Sequence, residues 1–134
     1  MRRSFLALVG VVLLAGSASM GAHHSYANFS DNITSIEGTL EKVMFANPHV
    51  VLTIRTKDAS VYTATWVAAF NLENRGMKAT ELKIGDVVVV SGTPARDRSV
   101  HEISRLEEVR RVSDGWRWLK NDAGRGPTIT TATK

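Results

Sequence analysis

Apolar and polar residues alternate along much of the chain after residue 34, and this period of two is typical of strands with one buried face. The first such stretch covers residues 35–45, where Ile36 and Leu40 share a face before the apolar phase slips to Val43. A slip of one residue predicts a β-bulge, and Gly38 inside the strand predicts close approach of a neighbouring backbone. We therefore expect a long, bent first strand.

The rest of the chain predicts further strands separated by turn signals. Gly76 can end a short helix over residues 68–77, and Asp114-Gly115 is a hairpin turn. The run of four valines predicts a strand that is buried on both faces or belongs to a barrel wall. The predicted strands cover residues 50–55, 61–67, 87–90, 99–112 and 116–119, and the segment at 121–134 is predicted to be a disordered tail.

The order of these elements indicates a fold class. Apart from the return strand at 116–119, which follows the hairpin turn, there are three strands, a short helix and two strands. This order matches the OB fold, a five-stranded barrel whose helix lies between strands three and four. A long first strand with an internal glycine also fits, because it must serve both sheets of the barrel. We predict an all-β domain over residues 23–120 with an OB-like β-barrel; another small barrel or an open β-roll is the alternative.

The first 22 residues have the three parts of a secretory signal peptide. Arg2 and Arg3 precede an apolar run over residues 5–15, and small residues follow up to Ala22. This run is about half of the ~20 residues that a membrane-spanning helix needs, so we expect cleavage, a periplasmic location and no stable membrane anchor after processing. Cleavage after Ala18, Gly21 or Ala22 remains open.

Composition narrows the function classes. The chain has no cysteine, which excludes disulfides, a thiolate zinc site, a cysteine nucleophile and a lipoprotein anchor. The net charge of +4 comes from 17 basic and 13 acidic residues, and loss of Arg2 and Arg3 lowers it further. So weak a positive charge gives little support for nucleic acid, and we predict no nucleic-acid partner.

Several motifs together resemble a known family. The sequence has AHHSY at 22–26, GTLEKV at 38–43, ANPHV at 46–50 and LKIGDVVVVSG at 82–92. These segments resemble the DUF6152 family of small secreted bacterial proteins of unknown function, over roughly residues 22–115. Met77 stands where that family tends to have tryptophan. The resemblance implies the fold and a secretory context, and it implies no known activity.

Three histidines in these motifs predict a metal site. His23 and His24 lie at or beside the mature amino terminus, and His49 follows the turn before the second strand. Imidazole together with a free terminal amine suits Cu(II), so copper is the candidate cofactor. The alternatives are a solvated terminus with His49 as a turn cap, or a site for a small polar ligand. His101 is expected to have a structural or surface role.

Three tryptophans are weaker candidates for a ligand or interaction surface. Trp66, Trp116 and Trp118 match the aromatic platform that OB folds use for bases or sugars, although packing in the core is the simpler interpretation. Motifs for a zinc protease, a phosphate loop or a dinucleotide site are lacking. We therefore predict a binding protein and not an enzyme. The alternatives are an interaction module for an envelope protein and, by fold analogy only, an oligosaccharide or oligonucleotide binder.

Overall fold

The computed structural model describes residues 26–122 and 127–129. The predicted leader and the His23–His24 pair lie outside these residues. Within them a short 3-10 turn is followed by one α-helix and seven strands, in this order: 3-10 turn Tyr26–Asn28, β1 Thr34–Met44, β2 Val51–Thr56, β3 Val61–Thr65, α1 Ala69–Glu73, β4 Val87–Pro94, β5 Glu102–Arg111, β6 Trp116–Leu119 and β7 Thr128–Ile129.

Five of the strands close into a barrel. β1 pairs antiparallel with both β2 and β4, β2 pairs with β3, and β4 pairs with β5. The barrel closes where β3 and β5 pair in parallel through Thr63 and Ala64. This order is that of the OB fold and confirms the predicted all-β class with an OB-like five-stranded barrel and one short helix.

Two short strands continue the sheet beyond the barrel. β6 pairs with the second half of β5, as the predicted return strand requires. β7 pairs with β6, so two residues of the segment predicted as a tail are strand. Among the residues that the structure describes, no helix is long and apolar enough to cross a membrane.

β1 has the bend that its sequence predicts. Its register with β2 shifts between Leu40 and Lys42, where the apolar phase slips. Gly38 lies where β1 passes from pairing with β4 to pairing with β2. A Cβ at Gly38 would lie against the carbonyl oxygen of Arg55 and 2.8 Å from its carbonyl carbon, so only glycine fits there without displacement.

The structure decides between the two alternatives predicted for β4 and lengthens the strand. Val88 and Val90 are fully buried, whereas Val87 is 39% exposed, so the strand is a barrel wall with one inner face and is not buried on both faces. The strand also continues through the predicted terminator at residues 92–94. It does so because Gly92 permits close approach of Ser104, at a register shift between β4 and β5.

The barrel has two ends that differ in construction. The first, called the helix end below, comprises the β1–β2 loop at residues 45–50, the connection with α1 at 66–86 and the β5–β6 turn at 112–115. The second, called the mouth end, comprises residues 26–33, the β2–β3 turn at 57–60 and the β4–β5 loop at 95–101. The apolar core lies between them and includes Leu52, Ile54 and Val109, all fully buried.

Candidate functional site

The loop that carries His49 is fastened to the start of α1. The backbone N–H of Ala69 donates to the carbonyl of Ala46 at 3.3 Å, and the N–H of Phe70 donates to Oδ1 of Asn47 at 3.1 Å. The N–H of Val50 donates to the carbonyl of Val67 at 3.0 Å. These bonds cross between two segments of chain, so His49 stands on a braced loop at the helix end.

The ring of His49 has one nitrogen engaged and one open. Its Nδ1 lies 3.1 Å from the carbonyl oxygen of Trp66. A carbonyl can only accept, so the bond assigns the ring proton to Nδ1 and leaves the lone pair on Nε2. His49 is exposed. Histidines that ligate metals typically donate their second nitrogen to a carbonyl in this way, so the residue fits the role of a metal ligand.

The chain joins the barrel at the opposite end from His49. Residues just after the His23–His24 pair are bound at the mouth end: Nε of Arg96 donates to the carbonyl of Ala27 at 2.8 Å, and the N–H of Ser30 donates to the carbonyl of Pro94 at 2.8 Å. His49 lies past the other end of β1. The 11 residues of that strand follow a curved path of roughly 33 Å at about 3.3 Å per residue.

The arm that holds the histidine pair is short by comparison. Two residues, the separation of His24 from Tyr26, span at most about 7 Å. His23 and His24 themselves lie outside the described residues, so their positions are not given. Within residues 26–122 and 127–129, no group of three or more histidine, cysteine or carboxylate side chains is placed to hold a metal.

His101 has a packing role at the mouth end. Its ring stacks on Tyr62 with centroids 4.8 Å apart and an interplanar angle of 19°. Its carbonyl accepts the N–H of Thr63 at 2.9 Å, beside the short β3–β5 ladder that closes the barrel. The half-buried position agrees with the structural role expected from the sequence.

The three tryptophans are packed and do not form a surface platform. Trp66, Trp116 and Trp118 are between 2% and 4% exposed. Trp66 and Trp118 meet edge to face with centroids 4.9 Å apart. The rings are buried because β6 lies against the helix end, so the interpretation of these residues as core is the correct one.

Two arginines complete this packing. The guanidinium of Arg75 lies 4.6 Å from the ring centroid of Trp118, and its Nη2 donates to the carbonyl of Leu119 at 2.7 Å and to that of Asp122 at 3.1 Å. Arg111 lies 5.6 Å from the ring centroid of Trp116. Both cations face aromatic rings and bind backbone or carboxylate oxygen, which ties β6 to the rest of the barrel.

The side chain of Arg111 is largely buried. Its sequence neighbours indicate an exposed strand of mixed charge, yet its side chain is only 15% exposed. It contacts Asp86 at 3.3 Å and Asp114 at 2.8 Å. Hydrogen bonding to Arg111 lowers the pKa of Asp114 from 3.8 to about 2. The turn signal at residue 114 points to the aspartate, but no local pattern shows that Arg111 turns inward.

The outer face of β2 and β3 is not built for stacking on bases. Cross-strand pairs join Val51 with Thr65, Thr53 with Thr63 and Arg55 with Val61 on this face. Arg55 is bound by Glu41, with Nη2 to Oε2 at 3.2 Å. An OB fold that binds single strands combines a free basic groove with aromatic rings, and this face offers small and β-branched side chains instead.

Comparison with known proteins gives a family and no activity. No curated protein matches this chain significantly. A family model described as a family of unknown function, DUF6152, matches residues 10–104. That span includes all four histidines and ends before Trp116 and Trp118, whereas the sequence motifs indicate a match over roughly residues 22–115. Since the match covers well over half of the 134 residues, the chain belongs to the DUF6152 family.

Proposed function

We propose that this protein is exported through a cleaved leader and serves in the periplasm as a binding module that holds Cu(II) through histidine. It is not proposed to be an enzyme. The leader pattern of residues 1–22 supports export. The barrel supplies a rigid scaffold, and scaffolds of this kind usually present their functional groups on loops and termini.

The orientation of His49 is the observation on which the proposal rests. The bond from Nδ1 to the carbonyl of Trp66 fixes the tautomer and aims an exposed Nε2 lone pair away from that carbonyl. The braced loop holds the ring in place, so binding a metal costs little further ordering of the side chain. Neutral imidazole is a good ligand for Cu(II).

The His23–His24 pair supplies the stronger chelate. Cleavage after Gly21 makes His24 the third residue, and cleavage after Ala22 makes His23 the first. In both cases the terminal amine and an imidazole can bind Cu(II) together, with backbone amides or a second ring completing the set. Several nitrogens on one short segment hold the ion more tightly than one ring does.

We propose two copper sites rather than one. The residues that follow the arm are bound at the mouth end, whereas His49 stands on a loop at the helix end, and this placement at opposite ends supports separate sites. The amino-terminal chelate is therefore the tight site. His49 is a separate, weaker imidazole ligand.

The test uses protein exported with its own leader and purified from the periplasm without a tag. Native mass spectrometry reads the mature amino terminus and the bound copper together. Cu(II) titrations, followed by electron paramagnetic resonance, then compare the parent with a His23→Ala/His24→Ala double variant and with His49→Ala. His101→Gln is the control, because it also removes an imidazole.

We expect the double variant to lower the affinity of the tight site at least tenfold, which corresponds to about 1.4 kcal/mol or more. His49→Ala removes only the more weakly bound copper ion, and His101→Gln changes the affinity of neither site. Equal loss of one 1:1 site in the double variant and in His49→Ala would mean a single three-histidine site. Copper binding that is unchanged in both variants would exclude the copper proposal.

An interaction module is the second candidate, and an exposed apolar surface favours it. Phe70 is 61% exposed, Met44 46% and Val67 40%, all at the helix end around the His49 loop. A photo-crosslinking residue at position 70 would give one discrete envelope-protein adduct if this surface binds a partner. Position 84 is the control, because Ile84 is 73% exposed. Equal adducts at both positions would contradict the candidate.

A further inference from the structure

The barrel is open at its mouth end. β1 pairs with β2 only from Gly38 onwards, and β3 pairs with β5 only through Thr63 and Ala64. The start of β1, the start of β3 and the β4–β5 loop therefore surround a gap in the hydrogen-bonded wall. A cleft of about 600 Å³ lies there. Its volume is within the range of small-molecule sites, and the mouth of a β-barrel is a common place for one.

The floor of the cleft is apolar and fixed. Tyr62 and Ile36 line it, and both are half-buried and packed against the core. The Tyr62 ring is held from one side by its stacking on His101. Val100 is 42% exposed and Ile33 60% exposed at the rim. The floor and rim together offer a surface onto which an apolar or planar body can pack.

The two rim arginines differ in how they are engaged. Arg96 is occupied, since it donates to the carbonyl of Ala27 at 2.8 Å and contacts Asp31 at 3.4 Å. Arg98 is exposed, and its guanidinium has no ion-pair or hydrogen-bond partner among the residues that the structure describes. The neighbouring Asp97 does not pair with it, because Ser99 binds that carboxylate through its N–H at 2.9 Å and its hydroxyl at 2.7 Å.

The charges of the lining favour an anion. Its charged residues are Arg96, Arg98 and Glu102, which sum to one positive charge. A guanidinium without a partner binds carboxylate through two parallel N–H donors, which a lysine or a neutral group cannot match. The apolar floor next to it rewards a ligand with a hydrocarbon or aromatic body.

We propose that this mouth cleft binds a small amphipathic carboxylate, with its carboxylate on Arg98 and its apolar body against Tyr62 and Ile36. The site is separate from the histidines proposed to hold copper. Removal of the charge from Arg98 should weaken binding of the anionic ligand selectively, because the contacts of the ligand's apolar body with Tyr62 and Ile36 stay in place.

The test is a fluorescence titration of the full processed protein with the probe 8-anilinonaphthalene-1-sulfonate, an aromatic anion that brightens in apolar surroundings. Octanoate and octan-1-ol then compete with the probe. They share an apolar body and differ in charge. The variants are Arg98→Gln and Val100→Asp, with Lys83→Gln as a matched loss of positive charge at the helix end. Near-ultraviolet circular dichroism checks that each variant is folded.

We expect the probe to bind 1:1 and octanoate to displace it about tenfold more effectively than octan-1-ol, the range for one hydrogen-bonded charge pair. Arg98→Gln removes that difference, Val100→Asp weakens both competitors, and Lys83→Gln changes neither. If octanoate and octan-1-ol compete equally in the parent, or if Arg98→Gln behaves as the parent, Arg98 does not bind the anion and the proposal is wrong. Absence of saturable probe binding in the folded parent excludes the site altogether.

Discussion

The two ends of the barrel use the same residue types for opposite purposes. At the helix end, Arg75 lies over Trp118 and binds two backbone carbonyls, and Arg111 binds two carboxylates beside Trp116. At the mouth end, Arg96 is occupied, whereas Arg98 is exposed beside a cleft and has no partner among the residues that the structure describes. An arginine whose donors are satisfied within the protein stabilises it, whereas one whose donors are free is available to a ligand.

This difference suggests how stability and binding are divided in the molecule. The helix end buries three tryptophan rings, and its loops are joined by hydrogen bonds that cross between segments. At the mouth end, the turns at Asp58 and Asp97 are bound within themselves by Ser60 and Ser99, although residues 26–30 also bind Pro94 and Arg96. The exposed His49 stands on the braced end, and that bracing preorganises its ring.

The largest expected effect is at the helix end. Trp118→Ala removes a side chain that is 2% exposed and contacts both Trp66 and Arg75. We expect the free energy of unfolding in urea to fall by about 3–5 kcal/mol, the usual cost of a buried aromatic cavity. Val100→Ala, at the mouth end, should change it by no more than about 0.5 kcal/mol. Similar losses in the two variants would mean that the ends do not differ in packing.

The next largest loss of stability is expected at Gly38, where β1 passes from pairing with β4 to pairing with β2. Gly38→Ala places a methyl group against the carbonyl of Arg55 and the side chain of Ile54, both at 2.8 Å for their nearest carbon atoms. The backbone of β2 must move, and we expect a loss of about 3 kcal/mol in thermal or urea unfolding. Thr39→Ala, one residue further along the strand at an exposed position, is the control. A neutral Gly38→Ala variant would show that β1 can separate from β2 without cost.

A pair of arginine variants compares the two ends directly. Arg75→Met keeps much of the aliphatic stem but removes the donors to Leu119 and Asp122, so we expect a loss of about 2 kcal/mol in urea unfolding. Arg98→Met has no internal bond to remove among the described residues, and we expect a change within about 0.5 kcal/mol. A large loss in Arg98→Met would show that this side chain is structural and would weaken the case for a ligand there.

Much of the barrel could be predicted from the sequence, because the sequence features that define its strands are local. The alternation of Ile36 and Leu40 and the slip to Val43 report which side of β1 is inside and where it bends. Gly38 reports the close approach of β2. The order of the strands and the helix then leaves few topologies, and the OB arrangement is the one found.

The details that were missed depend on contacts between distant segments. Trp116 and Trp118 alternate with Arg117, which shows that they share a face but not that another element covers it. That cover comes from residues such as Arg75, 44 positions before Leu119 in the chain. In the same way, the motif at residues 46–50 marks His49, but only the fold supplies the Trp66 carbonyl that sets its tautomer.

The smallest expected effect is a pH dependence at the helix end. Bonding to Arg111 lowers the pKa of Asp114 to about 2, against an ordinary value of 3.8. Because the folded state favours the charged form, this contribution is present above the ordinary pKa and is lost as pH falls through the lowered one. The difference in unfolding free energy between the parent and Asp114→Asn should therefore shrink between about pH 4 and pH 2. Urea unfolding of both proteins across that pH range measures this difference. In an Arg111→Met background, the same substitution should give a difference that depends less on pH in this range, because the largest cause of the lowered pKa is gone while the bond from the Trp116 N–H remains. A pH dependence that is undiminished there would assign the effect to the bond from the Trp116 N–H to Asp114, at 3.0 Å, and not to the arginine.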